Sequence, residues 1–442
     1  MGLIQNYKEL ATSRMRGDVL DVIEAGLQSI QPENVMWSRF LTNGSRLRIV
    51  GDAEYEVDLN GYESINAIAV GKGAATIMKH VARRLRTKLD WGYVIDSVGQ
   101  DEEDNSRYPN VIFRQGSHPL PTRENAYNTR EIVDYLKNTS GRELTMAIIC
   151  GGASAMFTDP YIGADRMAEL TSSLIRSGAD ISKINTVRKH VDGVKGGNFA
   201  RLLYRDDREI LSLLFSDVPT VKDPKSFIAS GPTVMDETTN SDALDIISAY
   251  KIKGVLGSDL VETPKDPKYF VNVRNIILLD NKVPLGAMEA KAREIGYKPR
   301  IVATNITGEA RKISNDFIRA LYTGQHDMLL AGGETTVKVR NKNGLGGRNR
   351  EVVLGSLMSM KPDIVVASVG TDGVDYVKYA GAIADWSTME DSGRRNMSVE
   401  KFLDDNDSQR FFEEVGGNIY TGRMPSNVAD LMVFAMKRPD KK

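Results

Sequence analysis

Short runs of aliphatic and β-branched residues recur along this chain, and longer stretches with helical periodicity separate them. Ile65–Val70, Gly92–Ile95, Val111–Phe113, Leu144–Cys150, Ile210–Phe215 and Ile276–Leu279 form one series of predicted strands. Arg300–Ala303, Met328–Leu330, Thr335–Val339, Ile364–Val369 and Leu431–Ala435 form a second. Several of these runs are apolar at nearly every position, as suits strands covered on both faces of a parallel sheet. Helices are expected over Arg16–Ile30, Ala74–Leu85, Glu124–Leu136, Arg166–Arg176, Asp242–Ala249, Pro284–Ile295, Ala310–Leu321 and Asn349–Met358. This alternation specifies an α/β fold with a largely parallel sheet.

At 442 residues the chain is too long for one ordinary core. Lys253–Phe270, with Gly254, Gly257, Pro264 and Pro267 among scattered charges, breaks the rhythm and reads as a linker. The expected division is therefore 1–252, a larger domain, and 271–442, a smaller α/β domain, with 253–270 between them. Lys plus Arg number 58 against 59 Asp plus Glu, a balance that argues against a dedicated nucleic-acid binder. One cysteine, Cys150, excludes an intrachain disulfide, and four scattered histidines exclude a Cys/His zinc site. No apolar stretch approaches the roughly 18 residues of a membrane span. Residues 1–13 lack the apolar core of a signal peptide. A cytoplasmic protein, monomeric or homodimeric, is expected.

The chemistry is expected at the carboxyl ends of the strands, where open α/β sheets bind ligands. Ile65–Val70 runs into Gly71-Lys72-Gly73-Ala74, where Lys72 offers a positive charge beside a helix start. Leu144–Cys150 runs into Gly151-Gly152-Ala153-Ser154-Ala155, a loop able to turn N–H groups toward phosphate. Arg188, Lys189, His190, Lys195, Gly196 and Gly197 suggest an anion-binding surface. Ile210–Phe215 ends at Ser216-Asp217-Val218, followed by Ala229-Ser230-Gly231-Pro232-Thr233. In the later half, Gly332-Gly333-Glu334 and Gly344-Leu345-Gly346-Gly347-Arg348-Asn349 precede a strand and a helix. Gly370-Thr371-Asp372-Gly373-Val374-Asp375 follows another strand, so that Asp372 and Asp375 could share a cation. Neither a Walker A loop nor a G-x-G-x-x-G fingerprint is present. The set of loops points to a polyanionic ligand bound in a cleft between the two domains.

Taken in order, Gly71-Lys72-Gly73, His118-Pro119-Leu120-Pro121, Gly151–Ala155, Val187–His190, Lys195-Gly196-Gly197, Ser216-Asp217-Val218, Ala229–Thr233, Gly332–Thr336, Gly347-Arg348-Asn349, Thr371-Asp372-Gly373, Thr421-Gly422, Asn427 and Asp430 resemble the class II glycerate kinase family. The resemblance implies a Rossmann-like larger domain, a smaller domain of the MOFRL type and a site between them. It implies ATP-dependent phosphorylation of D-glycerate with Mg²⁺. Archaeal members are 2-kinases that make 2-phosphoglycerate in Entner–Doudoroff-type degradation. The family's invariant residues fall on Lys72, Arg348, Asp217, Asp372 and Asn427. On this basis Lys72 and Arg348 would hold glycerate's carboxylate and the transferred phosphoryl group. One of Asp217 and Asp372 would act on the hydroxyl and the other support the metal. Gly151, Gly152, Ser154, Lys189, Lys195, Gly196 and Gly197 would cradle the nucleotide phosphates. The alternatives are a hydroxypyruvate reductase, which lacks its dinucleotide fingerprint here, and a non-enzymatic sugar-acid-binding regulator.

Overall fold

The structure, a computed structural model, describes residues 2–97, 106–216 and 223–437, and it divides into two units. The first contains the described residues of 32–216 and 223–279. It opens with a small antiparallel sheet of β1 (Phe40–Asn43), β2 (Arg46–Val50) and β3 (Glu54–Asp58). Its main sheet has six strands: β4 (Ser64–Val70), β5 (Trp91–Asp96), β6 (Val111–Gln115), β7 (Glu143–Ile149), β8 (Arg208–Phe215) and β9 (Val273–Leu279). All five pairings are parallel. The spatial order is β6-β5-β4-β7-β8-β9, a doubly wound arrangement. Chain direction across the sheet reverses between β4 and β7, and that reversal leaves a crevice beyond their carboxyl ends. Burial explains the apolar composition: Ile65 and Ala67–Val70 of β4 are all covered, as is β7 along its whole length.

The second unit comprises residues 2–31 and 280–437. Its strands are β10 (Pro299–Ile306), β11 (Met328–Gly333), β12 (Ile364–Gly370), β13 (Gly381–Asp385), β14 (Asn418–Ile419) and β15 (Asp430–Met436). They lie in the order β10-β11-β15-β12-β13-β14, and only β10 with β11 is parallel. Side chains alternate between two cores, as the two-residue period of a strand requires. Val365 and Val433 join Val19, Leu20, Ile23 and Met288 on one face. Val366 and Phe434 join Ile318, Leu321, Val352 and Val353 on the other.

Four expectations change. Helix Arg14–Ser29, expected in the first domain, belongs to the second unit, where its apolar stripe closes one core. The boundary lies after Leu279, because β9 pairs with β8 and completes the first sheet. Residues 253–270 are not a linker between units: Val255 and Leu260 enter a core with Ile184, Val187 and Ile247. Thr335–Val339 is not a strand; its pairing is a single bridge between Glu309 and Thr336, and it borders a cavity instead.

Candidate active site

In the first unit the two glycine-containing loops after β4 and β7 flank the crevice at the point of reversal. Gly71 has φ +118°, and a Cβ there would lie 2.7 Å from the Cys150 carbonyl oxygen, so a side chain is excluded by backbone contact. The Gly71 N–H donates to the Ile95 carbonyl (2.9 Å) and the Lys72 N–H to that of Gly151 (2.9 Å). Asp96 Oδ2 accepts from Ala75 N–H (3.0 Å), which places a carboxylate at the start of helix Ala74–Leu85. These amides therefore bind loop to loop, and the group left for an anion is the exposed side chain of Lys72. His118 stands beside Gly152, where a Cβ would come within 3.1 Å of its ring. Burial, aided by the Lys72 charge, depresses the His118 pKa, so the imidazole is neutral at pH 7.

Behind the crevice the remaining motifs are wired together. Ser154 Oγ is 3.2 Å from Ser230 Oγ, which donates to Asn185 Oδ1 at 2.9 Å. Ala229, Ser230 and Gly231 all have positive φ (50°, 62° and 63°), a strained turn of the kind retained at functional sites. Gly196 and Gly197 N–H donate to the carbonyls of Ser230 and Gly231 at 2.9 and 2.8 Å. Lys195 is fully buried, and its Nζ donates to the carbonyls of Ser154 (2.9 Å) and Phe157 (2.7 Å). Arg188 also donates to the Ser154 carbonyl. Burial lowers the Lys195 pKa to about 8, against the pull of Asp192 and with the push of Arg188. Lys189 pairs with buried Asp236 at 3.0 Å. Lys189, Lys195, Gly196 and Gly197, expected to cradle phosphate, thus all have partners within the protein. Lys195 holds the Gly151–Ala155 loop through the Ser154 carbonyl, while Gly196 and Gly197 hold the Ser230–Gly231 turn and Lys189 is tied to Asp236.

In the second unit, the glycines before Arg348 answer to packing. A Cβ on Gly344 would lie 2.1 Å from the Asp405 carbonyl oxygen, on Gly346 2.7 Å from that of Asn406, and on Gly347 2.2 Å from Asp375 Oδ2. Asp375, fully enclosed, accepts from the backbone N–H of Asn349 (3.1 Å) and Arg350 (2.9 Å) and pairs with Arg350 Nε at 3.3 Å. It therefore caps helix Arg348–Ser356, and the expectation that it shares a cation with Asp372 is corrected, since both its oxygens are engaged. Its pKa is raised by burial, with the Arg350 charge opposing.

Arg348 is gripped by a residue to which the sequence assigned no role. Asp430, completely buried, accepts from Arg348 Nε (2.7 Å) and Nη2 (3.1 Å) and from Asn349 Nδ2 (2.9 Å). Burial raises its pKa to about 7, against Arg348 and Asn349 and together with the Asp375 charge. The bidentate edge of Arg348 expected to meet a ligand carboxylate is therefore occupied. Its outer nitrogen, Nη1, meets the exposed Glu334 at 2.6 Å. Asp372 accepts from Val374 N–H through Oδ1 (3.1 Å). Asn427 Oδ1 accepts from Ala429 N–H at 2.9 Å, bracing a residue whose φ is +68°. Glu334, Arg348, Asp372 and Asn427 all border one cavity of about 870 Å³. Asp217 and Val218 lie outside the described residues. Among the described residues no group of three or more His, Cys, Asp or Glu side chains is placed to hold a metal.

Comparison with known proteins adds three findings. Residues 18–263 match the family described as "Domain of unknown function (DUF4147)", and residues 327–430 match the MOFRL family. A D-glycerate 2-kinase of Thermotoga maritima is 32% identical over 83% of this chain and 89% of its own length, and a glycerate 2-kinase of Pyrococcus horikoshii is 30% identical over 87% and 89%. A crystal structure of glycerate kinase from Thermotoga maritima superposes with a TM-score of 0.83 at 25% identity, covering 96% of this chain and all of that one.

Proposed function

Because the chain belongs to the class II glycerate kinase family, we propose that it transfers the terminal phosphoryl group of ATP to the 2-hydroxyl of D-glycerate, giving 2-phosphoglycerate and ADP. The observation that carries this reading is the pairing of Asp430 with Arg348 at the rim of the cavity. A fully buried carboxylate holds one edge of the guanidinium and leaves Nη1, paired with the exposed Glu334, at the cavity that Asp372 and Asn427 also line. Phosphoryl transfer needs fixed positive charge and accurate placement more than a covalent nucleophile. Arg348 held in this way cannot swing, and an arriving anion displaces only the exposed Glu334.

In this reading Lys72 supplies a cation to the crevice of the first unit. His118, kept neutral, lets that charge act on substrate without adding its own. The Gly151–Ser154 loop presents its N–H groups and the Ser154 hydroxyl to anionic oxygens. Asp372 accepts the proton of the attacking hydroxyl or holds Mg²⁺. One of its oxygens is engaged and the other has no partner among the described residues, which suits an ion that takes one or two carboxylates and completes its shell with phosphate oxygens and water. Asn427 fits a second oxygen ligand or a hydrogen-bond donor. When bound, the ion neutralises charge on the phosphate chain. Among the described residues no helix is long and apolar enough to cross a membrane, and we assign the enzyme to the cytoplasm.

The test is incubation with ATP, Mg²⁺ and D-glycerate, followed by measurement of ADP and phosphorus NMR of the product. The 2-phosphoglycerate resonance is expected. The 3-phosphoglycerate resonance would overturn the regiochemistry, and absence of glycerate-dependent ADP would overturn the reaction.

A further inference from the structure

The cavity of the second unit is much larger than a three-carbon acid requires. Its volume of about 870 Å³ lies near the top of the roughly 300–1,000 Å³ range of sites that enclose drug-sized ligands. Its lining includes the cations Arg348 and Lys342, the carboxylates Glu334, Asp372 and Asp375, and the apolar Val337, Val339 and Tyr376. Val339 is 63% exposed and Tyr376 71% exposed, so two large apolar side chains face open space instead of a core. Thr335 also lines it, and is 2% exposed yet has no hydrogen-bond partner for its hydroxyl among the described residues. A buried hydroxyl left unpaired costs stability unless something completes it.

Resting on the kinase reading above, we propose that this cavity seats the nucleoside triphosphate, with its base on Val337, Val339 and Tyr376 and its phosphates on Lys342 and the outer edge of Arg348. A planar base is apolar on its faces and polar at its rim, and matches a wall of two valines and a tyrosine beside a hydroxyl. The helix after Gly347 contributes little to phosphate binding, since Asp375 already accepts its first N–H groups. The side-chain cations carry that task. The assignment moves the nucleotide from the Gly151–Ala155 loop to the second unit.

Two measurements test it. The first is calorimetric titration of ADP into the full-length protein and into Val339→Asp and Lys342→Glu, both at exposed positions. Each variant should weaken ADP binding about tenfold or more, roughly the loss of one stacking or charge contact, with the KM for glycerate held within about twofold. An ADP affinity within about twofold of wild type in both variants would overturn the proposal. The second uses the unaltered protein and 8-azidoadenosine triphosphate. Light should attach the probe to peptides spanning 334–346 or 372–379, and labelling confined to 151–157 would overturn the assignment. Because ADP binding is read without turnover, loss of ADP affinity in the variants together with no phosphoglycerate formation would defeat the kinase reading alone. Normal turnover with unaltered ADP affinity would defeat this one alone.

Discussion

Replacing Asp430 with asparagine separates the catalytic and stability roles of the Arg348 pair. The amide keeps the size of the carboxylate but loses its charge, and it has one accepting oxygen where two now serve Nε and Nη2 at 2.7 and 3.1 Å. Its NH₂ then faces an arginine donor. Hydrogen bonds to charged groups contribute about 1.5–3 kcal/mol, so loss of one arm of the fork predicts a fall in kcat/KM of roughly 10- to 100-fold. Stability should respond differently. The folded-state pKa of Asp430 is raised to about 7, chiefly by burial. Its contribution is therefore complete below its unfolded value near 4 and lost as pH rises through about 7, because the folded state binds the proton more tightly over that window. Asp430→Asn should thus cost most stability, relative to wild type, near pH 5 and least near pH 8. The assay is urea unfolding of both proteins at the two pH values, with steady-state kinetics alongside. A variant that loses more stability at pH 8 than at pH 5 would show that the ionised pair is a net stabiliser, and the reasoning from burial would fail.

Lys72→Ala should lower kcat by on the order of 10²-fold with no change in Tm, since the side chain is exposed; an unchanged kcat/KM would remove Lys72 from the site. Arg348→Lys should cost roughly 2–3 kcal/mol in kcat/KM, because an ammonium cannot span both oxygens of Asp430 while reaching outward; kinetics equal to wild type would refute the positioning argument. Gly71→Ala should destabilise the first unit by about 1–3 kcal/mol, since φ is +118° and the new Cβ meets the Cys150 carbonyl oxygen at 2.7 Å; chemical denaturation decides, and a neutral result would mean that the loops separate easily. Lys195→Met should orphan the Phe157 carbonyl and leave that of Ser154 to Arg188 alone. In wild type, burial lowers the Lys195 pKa to about 8, so its contribution is present above its unfolded value near 10.4 and lost as pH falls through about 8. The gain in stability across that alkaline window should vanish in the variant, and Tm measured against pH would show it.

The residues that hold the strongest chemistry announced themselves through glycine. Gly71, Gly152 and Gly373 have φ of +118°, +83° and +79°, and a chain that spends glycine directly after a buried strand marks the place where backbone is forced close to backbone. Apolar runs likewise located β4, β7, β8, β12 and β15, because strands covered on both faces have no polar position to blur the pattern. The strands that escaped notice were short or poor in large apolar residues. The short, half-exposed strands β1, β2 and β3 alternate or leave little buried surface, β14 has only two residues, and β13, though buried, is the five-residue run Gly381–Asp385 of mostly small residues, too weak a pattern to stand out.

What the chain alone determined was the inventory: two series of strands, the loops at their ends, and the cations and carboxylates within them. Tertiary structure decided which of those charges remain available. Lys189 and Lys195 read in sequence like ligand-binding cations, yet they are buried against Asp236 and loop carbonyls. Lys72 and the outer edge of Arg348 read no differently and are left facing outward. Asp430 sits 82 residues from Arg348, and only the antiparallel pairing of β15 with β11 and β12 carries it to the guanidinium. The first 31 residues tell the same story: their apolar stripe signals a helix, but its place in the second unit follows from which core was still open on one face. Local pattern reports the tendency of a segment and the charge it carries. Whether a charge is paired, buried or presented depends on neighbours distant in sequence, which no local pattern encodes.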